Sequence, residues 1–313
     1  ICYNKGNHQK IGVFTAMKIL NIGSLNLDYV YTVPHFVAAG ETLASTAREV
    51  FCGGKGLNQS IALARAGGQV LHAGAIGPEG GALERALTDA GVDTHLLLHR
   101  EIPTGHAMIQ VNMIGNNCIL LYGGANRSLD RDYIDRVIGE CEPGDILVMQ
   151  NEVNLPLYMV ERAYKAGMRV VLNPSPYNEE LADIPFEKVA YLLLNETEGR
   201  QITGKSDPDA ILSALRGSYP SLCVVLTLGE NGAIYDDGHI RTRQPIFSVP
   251  VADTTAAGDT FTGYFVTAIA NGSSPAEALR TASAASAISV SRKGASPSIP
   301  QKEEVAAFLA THH

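Results

Sequence analysis

The sequence predicts an α/β domain with a mainly parallel central sheet and a small β-sheet lid. Downstream of residue 145, short runs of Val, Ile and Leu alternate with amphipathic stretches of helical period, the pattern of βαβ units. Two insertions, about 28–52 and 93–122, carry β-branched and aromatic residues with turn signals and no helical period, so they read as a separate lid sheet. The chain of 313 residues is 45% hydrophobic and 18% charged, enough for a large core, and its 31 glycines suit many tight turns between strands and helices.

Lys18 to Gly23 is an apolar strand entering a turn. Asp28 to Phe36 and Ala47 to Phe51 are strand-like, separated by a break at Gly40-Glu41. Gly56 to Ala66 is helical, with Leu57, Ile61, Leu63 and Ala64 on one stripe. Gln69 to Ile76 reads as a strand and Gly81 to Ala90 as a helix stopped by Gly91. His95 to His99, Gly105 to Val111 and Cys118 to Tyr122 read as strands, with Gly115-Asn116 turning the last two into a hairpin. The spacing then predicts strands at Asp145 to Gln150, Arg169 to Asn173, Val189 to Asn195 and Leu222 to Leu228. Helices at Pro156 to Ala166 and Pro208 to Arg216 stand between them. Ala233 to Tyr235 and Ile240 to Thr242 flank Asp237-Gly238 as an edge hairpin. Thr260 to Ala270, Pro275 to Arg292 and Gln301 to Ala310 are helices.

The formal charge of -8 and the pI near 5.6 argue against nucleic acid or an anionic membrane as the main partner. Five cysteines, an odd number with no Cys-x-x-Cys pair, argue for a reduced compartment, and the cytoplasm is expected. Cys52 reads as a half-buried structural thiol. No apolar run reaches membrane-spanning length. Residues 1–16 are polar and aperiodic, so Met17 is expected as the natural start, with a foreign or disordered leader ahead of a single domain over 17–313.

The chemistry concentrates in Asp253-Thr254-Thr255-Ala256-Ala257-Gly258-Asp259. Three nearly bare residues open a helix, so unpaired amides stand at its positive end, where an anion binds. Asp259 lies beside that site, as a base for phosphoryl transfer to an alcohol would; the alternative is a tightly packed helix start with an acidic first turn. Gly53-Gly54-Lys55-Gly56-Leu57-Asn58-Gln59 is neither a P-loop nor a dinucleotide fingerprint. It is a plain helix entry or a backbone-lined pocket with Lys55 and Asn58 pointing in. Asn26 and Asp28 share one strand face and suit a polyol, or else make an Asx turn. Asn195 and Glu198 end an apolar strand, as a helix cap or as oxygen ligands reaching Mg2+ through water. Thr227, Gly229 and Gly232 offer a backbone surface for phosphates or a nucleotide.

Taken in order, these segments resemble the ribokinase-like (pfkB) family of carbohydrate kinases over nearly all of residues 17 to 311. The likeness rests on Gly-Gly-Lys-Gly-x-Asn-Gln and Asp-Thr-x-Ala-x-Gly-Asp-x-Phe, and within the family it points to the members that phosphorylate ribose. Gly-Ser-x-Asn-x-Asp, Gly-Gly-Ala-Asn (123–126), Asn-Pro-x-Pro (173–176) and Arg-Lys-Gly-Ala-x-Pro-Ser (292–298) carry that finer likeness. The resemblance implies a three-layer α/β fold with a β lid, and ATP-dependent phosphorylation of the primary hydroxyl of a free sugar. D-ribose giving ribose 5-phosphate comes first; fructose, a deoxyribose or a nucleoside are the alternatives. It implies Asp259 as general base and the amides of Ala256, Ala257, Gly258 and Asp259 as anion hole. Asn26, Asp28, Gly54, Lys55, Asn58 and Glu152 would line the sugar pocket. Asn195, Thr227, Gly229, Gly232, Gly258 and Ser283 would meet the nucleotide, with Ser283 where relatives often place a larger residue against adenine. Glu198 would position Mg2+ through water, and Asp253, Thr255, Ser289, Arg292, Gly294 and Ser298 would form a K+ loop, mostly through backbone carbonyls. Apolar lid residues, Val30, Val33 and Phe36 among them, predict a homodimer through the lid strands.

Overall fold

The computed structural model describes residues 17–312; the expectation for a leader at 1–16 lies outside them. In chain order the first half runs β1 (Lys18–Ile22), β2 (Asn26–Thr32), β3 (Ala47–Gly53), α1 (Lys55–Arg65), β4 (Gln69–Ala73), β5 (Ala75–Ile76), α2 (Gly81–Asp89), β6 (Leu98–His99), β7 (Gly105–Val111), β8 (Asn117–Tyr122) and α3 (Arg131–Ile138). Then come β9 (Ile146–Met149), α4 (Pro156–Lys165), β10 (Arg169–Leu172), β11 (Tyr191–Asn195), α5 (Glu196–Thr203), α6 (Pro208–Ser218), β12 (Cys223–Thr227), β13 (Ala233–Asp236), β14 (Arg241–Gln244), α7 (Ala257–Ala270), α8 (Pro275–Val290) and α9 (Lys302–Thr311).

The main sheet has eight strands in the order β14-β13-β12-β11-β10-β9-β1-β4. It is parallel from β4 to β12 and antiparallel at the β13–β14 edge. Period-two alternation splits its side chains between two cores. Leu147 and Met149 of β9 face a core with α3, α4 and α6, while Ile146 and Val148 face the core with α1, α2, α7, α8 and α9. The result is three layers, helices on both faces of the sheet. A second sheet, in the order β3-β2-β7-β8, stands apart from it, with β2 and β7 parallel and the outer pairs antiparallel. No helix among the described residues is long and apolar enough to cross a membrane.

Some elements differ from expectation. The strand expected over Gln69 to Ile76 breaks at Gly74, because β4 stays on β1 while β5 leaves to pair with β6. The strand expected over His95 to His99 shrinks to β6, which joins β5 and not the second sheet. Two short helices add to the expected set: α3, where no helix was read, and α5, of which the sequence offered only a cap at Asn195. Each begins at a side-chain cap, Asp130 accepting from the Tyr133 amide and Asn195 from the Glu198 amide. Val33 is buried, whereas Val30 and Phe36 are half-buried. The most exposed apolar surface of the second sheet lies along Ile119, Leu120, Leu121 and Tyr122 of β8, with Val50 and Phe51 of β3 and Met108 of β7 also exposed.

Candidate active site

The proposed residues gather where the parallel strands end at their carboxyl side, the edge at which open α/β sheets bind ligands. The exit of β1 supplies Ser24 and, through β2, Asn26 and Asp28; β9 gives Glu152; β11 gives Asn195; β12 gives Thr227. Helices α1 and α7 bring Lys55, Asn58 and Asp259 to the same edge.

The glycine-rich turn is built for contact. A Cβ on Gly56 would lie 2.3 Å from the Ser24 nitrogen, and one on Gly53 would lie 2.1 Å from Asp28 Oδ2. Only hydrogen fits at either place, so α1 starts hard against the β1–β2 loop and the Asp28 carboxylate. Gly54, at φ 95, turns the chain into the helix. Glu152 Oε2 accepts from the Lys55 amide at 3.0 Å and from the Ser24 hydroxyl. Asn26 is held by Asn126, whose Nδ2 donates to Asn26 Oδ1 at 2.8 Å, and Asn126 Oδ1 accepts from the Leu25 amide at 2.9 Å. That use of Asn126 explains the Gly-Gly-Ala-Asn segment, to which the sequence had assigned no role.

Charges in this corner perturb one another. Burial, and after it the charge of Glu152, pushes the Asp28 carboxyl up to about 6. Burial likewise raises Glu152, against the pull of the Lys55 ammonium. Asp259 holds the Lys55 ammonium above its ordinary range despite burial, with Glu152 and Glu198 adding to the effect. One cation among four carboxylates is a site that favours a neutral, hydrogen-donating ligand over a second anion at that spot.

Asp259 is 6% exposed and held by two amides: Asn58 Nδ2 donates to Oδ2 at 3.1 Å and Gln59 Nε2 to Oδ1 at 3.0 Å. The buried Oδ1 of Asn58 has no hydrogen-bond partner among the described residues, an acceptor suited to a ligand hydroxyl. Helix α7 begins three residues earlier than the expected Thr260, after Ala256 at φ 60, and no side chain caps it. Among the described residues the amides of Ala256, Gly258 and Asp259 meet no acceptor, while that of Ala257 reaches the Thr254 carbonyl at 3.3 Å. A Cβ on Gly258 would touch nothing within 4 Å, so the space above this helix start is open.

Two cavities meet there. The smaller, about 80 Å³, is lined by Lys55, Asn173, Asn195, Glu198 and Asp259 among others. The larger, about 510 Å³, runs past Gly229 and Gly232 to Ser283, and Asn195, Thr227, Gly258 and Phe261 border both. Its far wall, Ile246 to Val249 with Val251, belongs to a segment that carried no sequence signal. Gly232 serves the hairpin: a Cβ would lie 2.1 Å from the Gln244 carbonyl. Gly229 lines the cavity with open space beside it.

Asn195 and Glu198 form a capping box on α5, with Asn195 Oδ1 accepting from the Glu198 amide and Glu198 Oε2 from the Asn195 amide, both at 2.9 Å. Both residues thus cap α5 and line the small cavity. No cluster of three or more His, Cys, Asp or Glu side chains able to hold a metal occurs among the described residues. Asp253 joins two loops: Oδ1 accepts from the Thr255 amide and hydroxyl, Oδ2 from the Gly294 amide at 2.9 Å. Ser289 and Ser298 are buried and share a hydroxyl–hydroxyl bond of 2.8 Å, while the Arg292 guanidinium turns away to Glu304. Cys52 is half-buried and burial raises its thiol, as suits a structural role.

Sequence comparison matches residues 16–302 to the family described as pfkB family carbohydrate kinase. The chain is 38% identical over 300 residues to the ribokinase of Haemophilus influenzae, covering 92% of this chain and 97% of that one. It is 32% identical over 308 residues to the deoxyribokinase of Salmonella typhimurium, covering 94% and 99%. Its fold is similar, at a TM-score of 0.84 and 29% identity, to Arabidopsis thaliana ribokinase complexed with ribose and ATP, covering 94% of this chain and 99% of that one.

Proposed function

The chain belongs to the pfkB family of carbohydrate kinases, and from that premise we propose that it transfers the γ-phosphoryl group of ATP to the primary hydroxyl of a free pentose, D-ribose giving ribose 5-phosphate. The observation that carries the reading is the pairing, at the start of α7, of an uncapped amide cradle with the buried Asp259 carboxylate. The large cavity beside Gly258 suits the nucleotide, with Thr227, Gly229 and Ser283 on its walls. Asn26, Asp28, Gly54, Lys55, Asn58 and Glu152 suit the sugar, since carboxylates accept from vicinal hydroxyls and the Lys55 ammonium donates.

Phosphoryl transfer asks for alignment and charge neutralisation more than covalent chemistry. As the sugar oxygen bonds to the γ-phosphorus and the bond to the β-phosphate oxygen breaks, Asp259 takes the hydroxyl proton and ADP leaves. The amides of Gly258 and Asp259 face the oxygens on which charge builds. Glu198, held by the capping box and lining the small cavity, would hold Mg2+ through water, and that ion would supply further neutralisation. The loops tied by Asp253, which carry Thr255, Arg292 and Gly294, together with Ser289 at the end of α8 and Ser298, would hold K+ mostly through backbone carbonyls, and that ion would help order the cradle. The protein works in the cytoplasm as a homodimer joined through the second sheet, which acts as the lid over the sugar. Strand β8 supports this: it is an edge strand, and Ile119, Leu120 and Leu121 are each more than half exposed, at 56%, 69% and 51%.

Deoxyribose is the second acceptor to test, because the likeness to the Salmonella enzyme spans the same length. Steady-state ADP release with ribose, deoxyribose, fructose and a nucleoside tests the reading, and ribose is expected to give the highest kcat/KM. In Asp259→Asn, turnover is expected to fall by roughly 10²–10⁴-fold with ligand binding kept. Unchanged turnover would refute the assignment.

A further inference from the structure

A chain of buried amides runs from Asp259 into the core. Gln59, Asn21, Ser60 and His72 are all fully buried, and Gln150 is 1% exposed. Gln59 Nε2 donates to Asp259 Oδ1 at 3.0 Å and to Asn173 Oδ1 at 3.1 Å. Gln150 Nε2 donates to Gln59 Oε1 at 2.7 Å and to Asn21 Oδ1 at 3.0 Å. Asn21 Nδ2 donates to the Gly56 carbonyl at 2.9 Å and to Ser60 Oγ at 2.8 Å, and Ser60 meets His72 Nδ1 at 2.8 Å.

From Asp259 through Gln150 to Asn21 every bond has a forced direction. The Asp259 carboxylate and the Gly56 carbonyl only accept, so the amides of Gln59 and Asn21 must turn their nitrogens towards them. Two carboxamide oxygens then face Gln150, and only its nitrogen, with two protons, can serve both. Ser60 accepts from Asn21 and shares a bond with His72 Nδ1, a ring that burial keeps neutral by pushing its pKa down to about 3. Asn173 is fixed likewise, its Nδ2 spent on the Leu193 carbonyl at 2.9 Å. Gln150 Oε1 has no partner among the described residues, and a Cβ on Gly23 would lie 2.5 Å from it, so glycine leaves it room.

We infer that Gln59 and Gln150 are positioning residues for the transfer: Gln150 sets which end of the Gln59 carboxamide faces Asp259, and Gln59, opposite Asn58, fixes the plane of the carboxylate that meets the sugar hydroxyl. Gln150 acts through Gln59 alone and touches no ligand. This rests on Asp259 being the base. Reversing the polarity at position 150 turns the Gln59 oxygen onto the carboxylate, and removing it frees that amide to rotate.

The test is steady-state kinetics on Gln150→Glu and Gln150→Met, each alone and combined with Asp259→Asn. The expected result is a kcat loss of roughly 10²-fold for Gln150→Glu and a smaller loss for Gln150→Met, the scale on which a misplaced reacting group costs rate. KM for sugar and for ATP should stay near the parent values. In the Asp259→Asn background neither change should lower kcat further. A kcat unaffected by both single changes overturns the inference, as does a rise in KM or a further loss without the Asp259 carboxylate. If Asp259→Asn itself keeps full turnover, the base assignment has failed instead. Should the buried carboxylate prevent folding, Gln150→Met carries the test. A neutron structure of the unaltered protein checks the same point without substitution, and a Gln59 oxygen facing Asp259 would overturn it.

Discussion

Asp28 is costly to the folded protein until something donates to it. Burial raises its carboxyl from the ordinary 3.8 to about 6, so the folded state binds its proton more tightly than the unfolded chain does. The group is neutral in both states below the lower value. As pH rises through about 6 the folded protein loses up to about 3 kcal/mol relative to that limit. Asp28→Asn, which cannot ionise, should therefore melt higher than the parent well above pH 6 and show no such gain in strong acid. The same substitution should raise the sugar KM, because the pocket loses an anionic acceptor. Melting curves at two pH values and one saturation series check both halves, and a variant that is no more stable at high pH would refute the electrostatic account. Gln59 shows the limit of reading single residues. It stands in a motif the sequence marked, beside Asn58, but only its distance from Asp259, about two hundred positions downstream, reveals what it holds.

At the scale of elements, two glycines at helix starts behave oppositely. Gly56 lies in the first turn of α1, and a Cβ there would meet backbone atoms of Gly23 and Ser24 at 2.3–2.6 Å. Backbone cannot give way cheaply, so Gly56→Ala is expected to cost about 3 kcal/mol or more and to lower the thermal midpoint. Gly258 lies in the first turn of α7 with nothing within 4 Å of a Cβ. Gly258→Ala should melt like the parent and lose turnover, since the methyl enters the space assigned to the phosphoryl group. Paired melts and kcat values distinguish the two; a Gly258→Ala enzyme of full activity would show that the cradle is not used. The elements the sequence hid were short. Helix α3 spans only eight residues, and its buried face, Tyr133, Ile134, Val137 and Ile138, reads as helical only once Asp130 is taken as its cap. The strand over Gln69 to Ile76 was one apolar run, and its break at Gly74 comes from pairing with a distant segment.

For the whole molecule, the second sheet leaves its β8 edge the most bare. Leu120 is 69% exposed on an edge strand, between Ile119 and Leu121. If this flank joins two copies, Leu120→Asp should shift a dimeric mass to a monomeric one at micromolar concentration, read by sedimentation. A parent protein that sediments as a monomer would rule out the interface. Position was the weak point of the sequence reading here: Val33, expected at the surface, is 5% exposed, just past the end of β2 with its amide bonded to the Val111 carbonyl at 2.9 Å.

The sequence by itself determined the parallel α/β architecture, since strands buried on both faces must be continuous apolar runs separated by amphipathic helices. It also marked the open helix start and the adjoining acid, since small residues before a carboxylate leave a local mark that needs no partner. Only the tertiary structure decided that Glu198 caps its own helix, that Asn126 holds Asn26, and that Gln59 and Gln150 lock Asp259. Those roles are hydrogen bonds between side chains far apart in sequence, and a polar residue carries no sign of its partner until folding brings the two within about 3 Å.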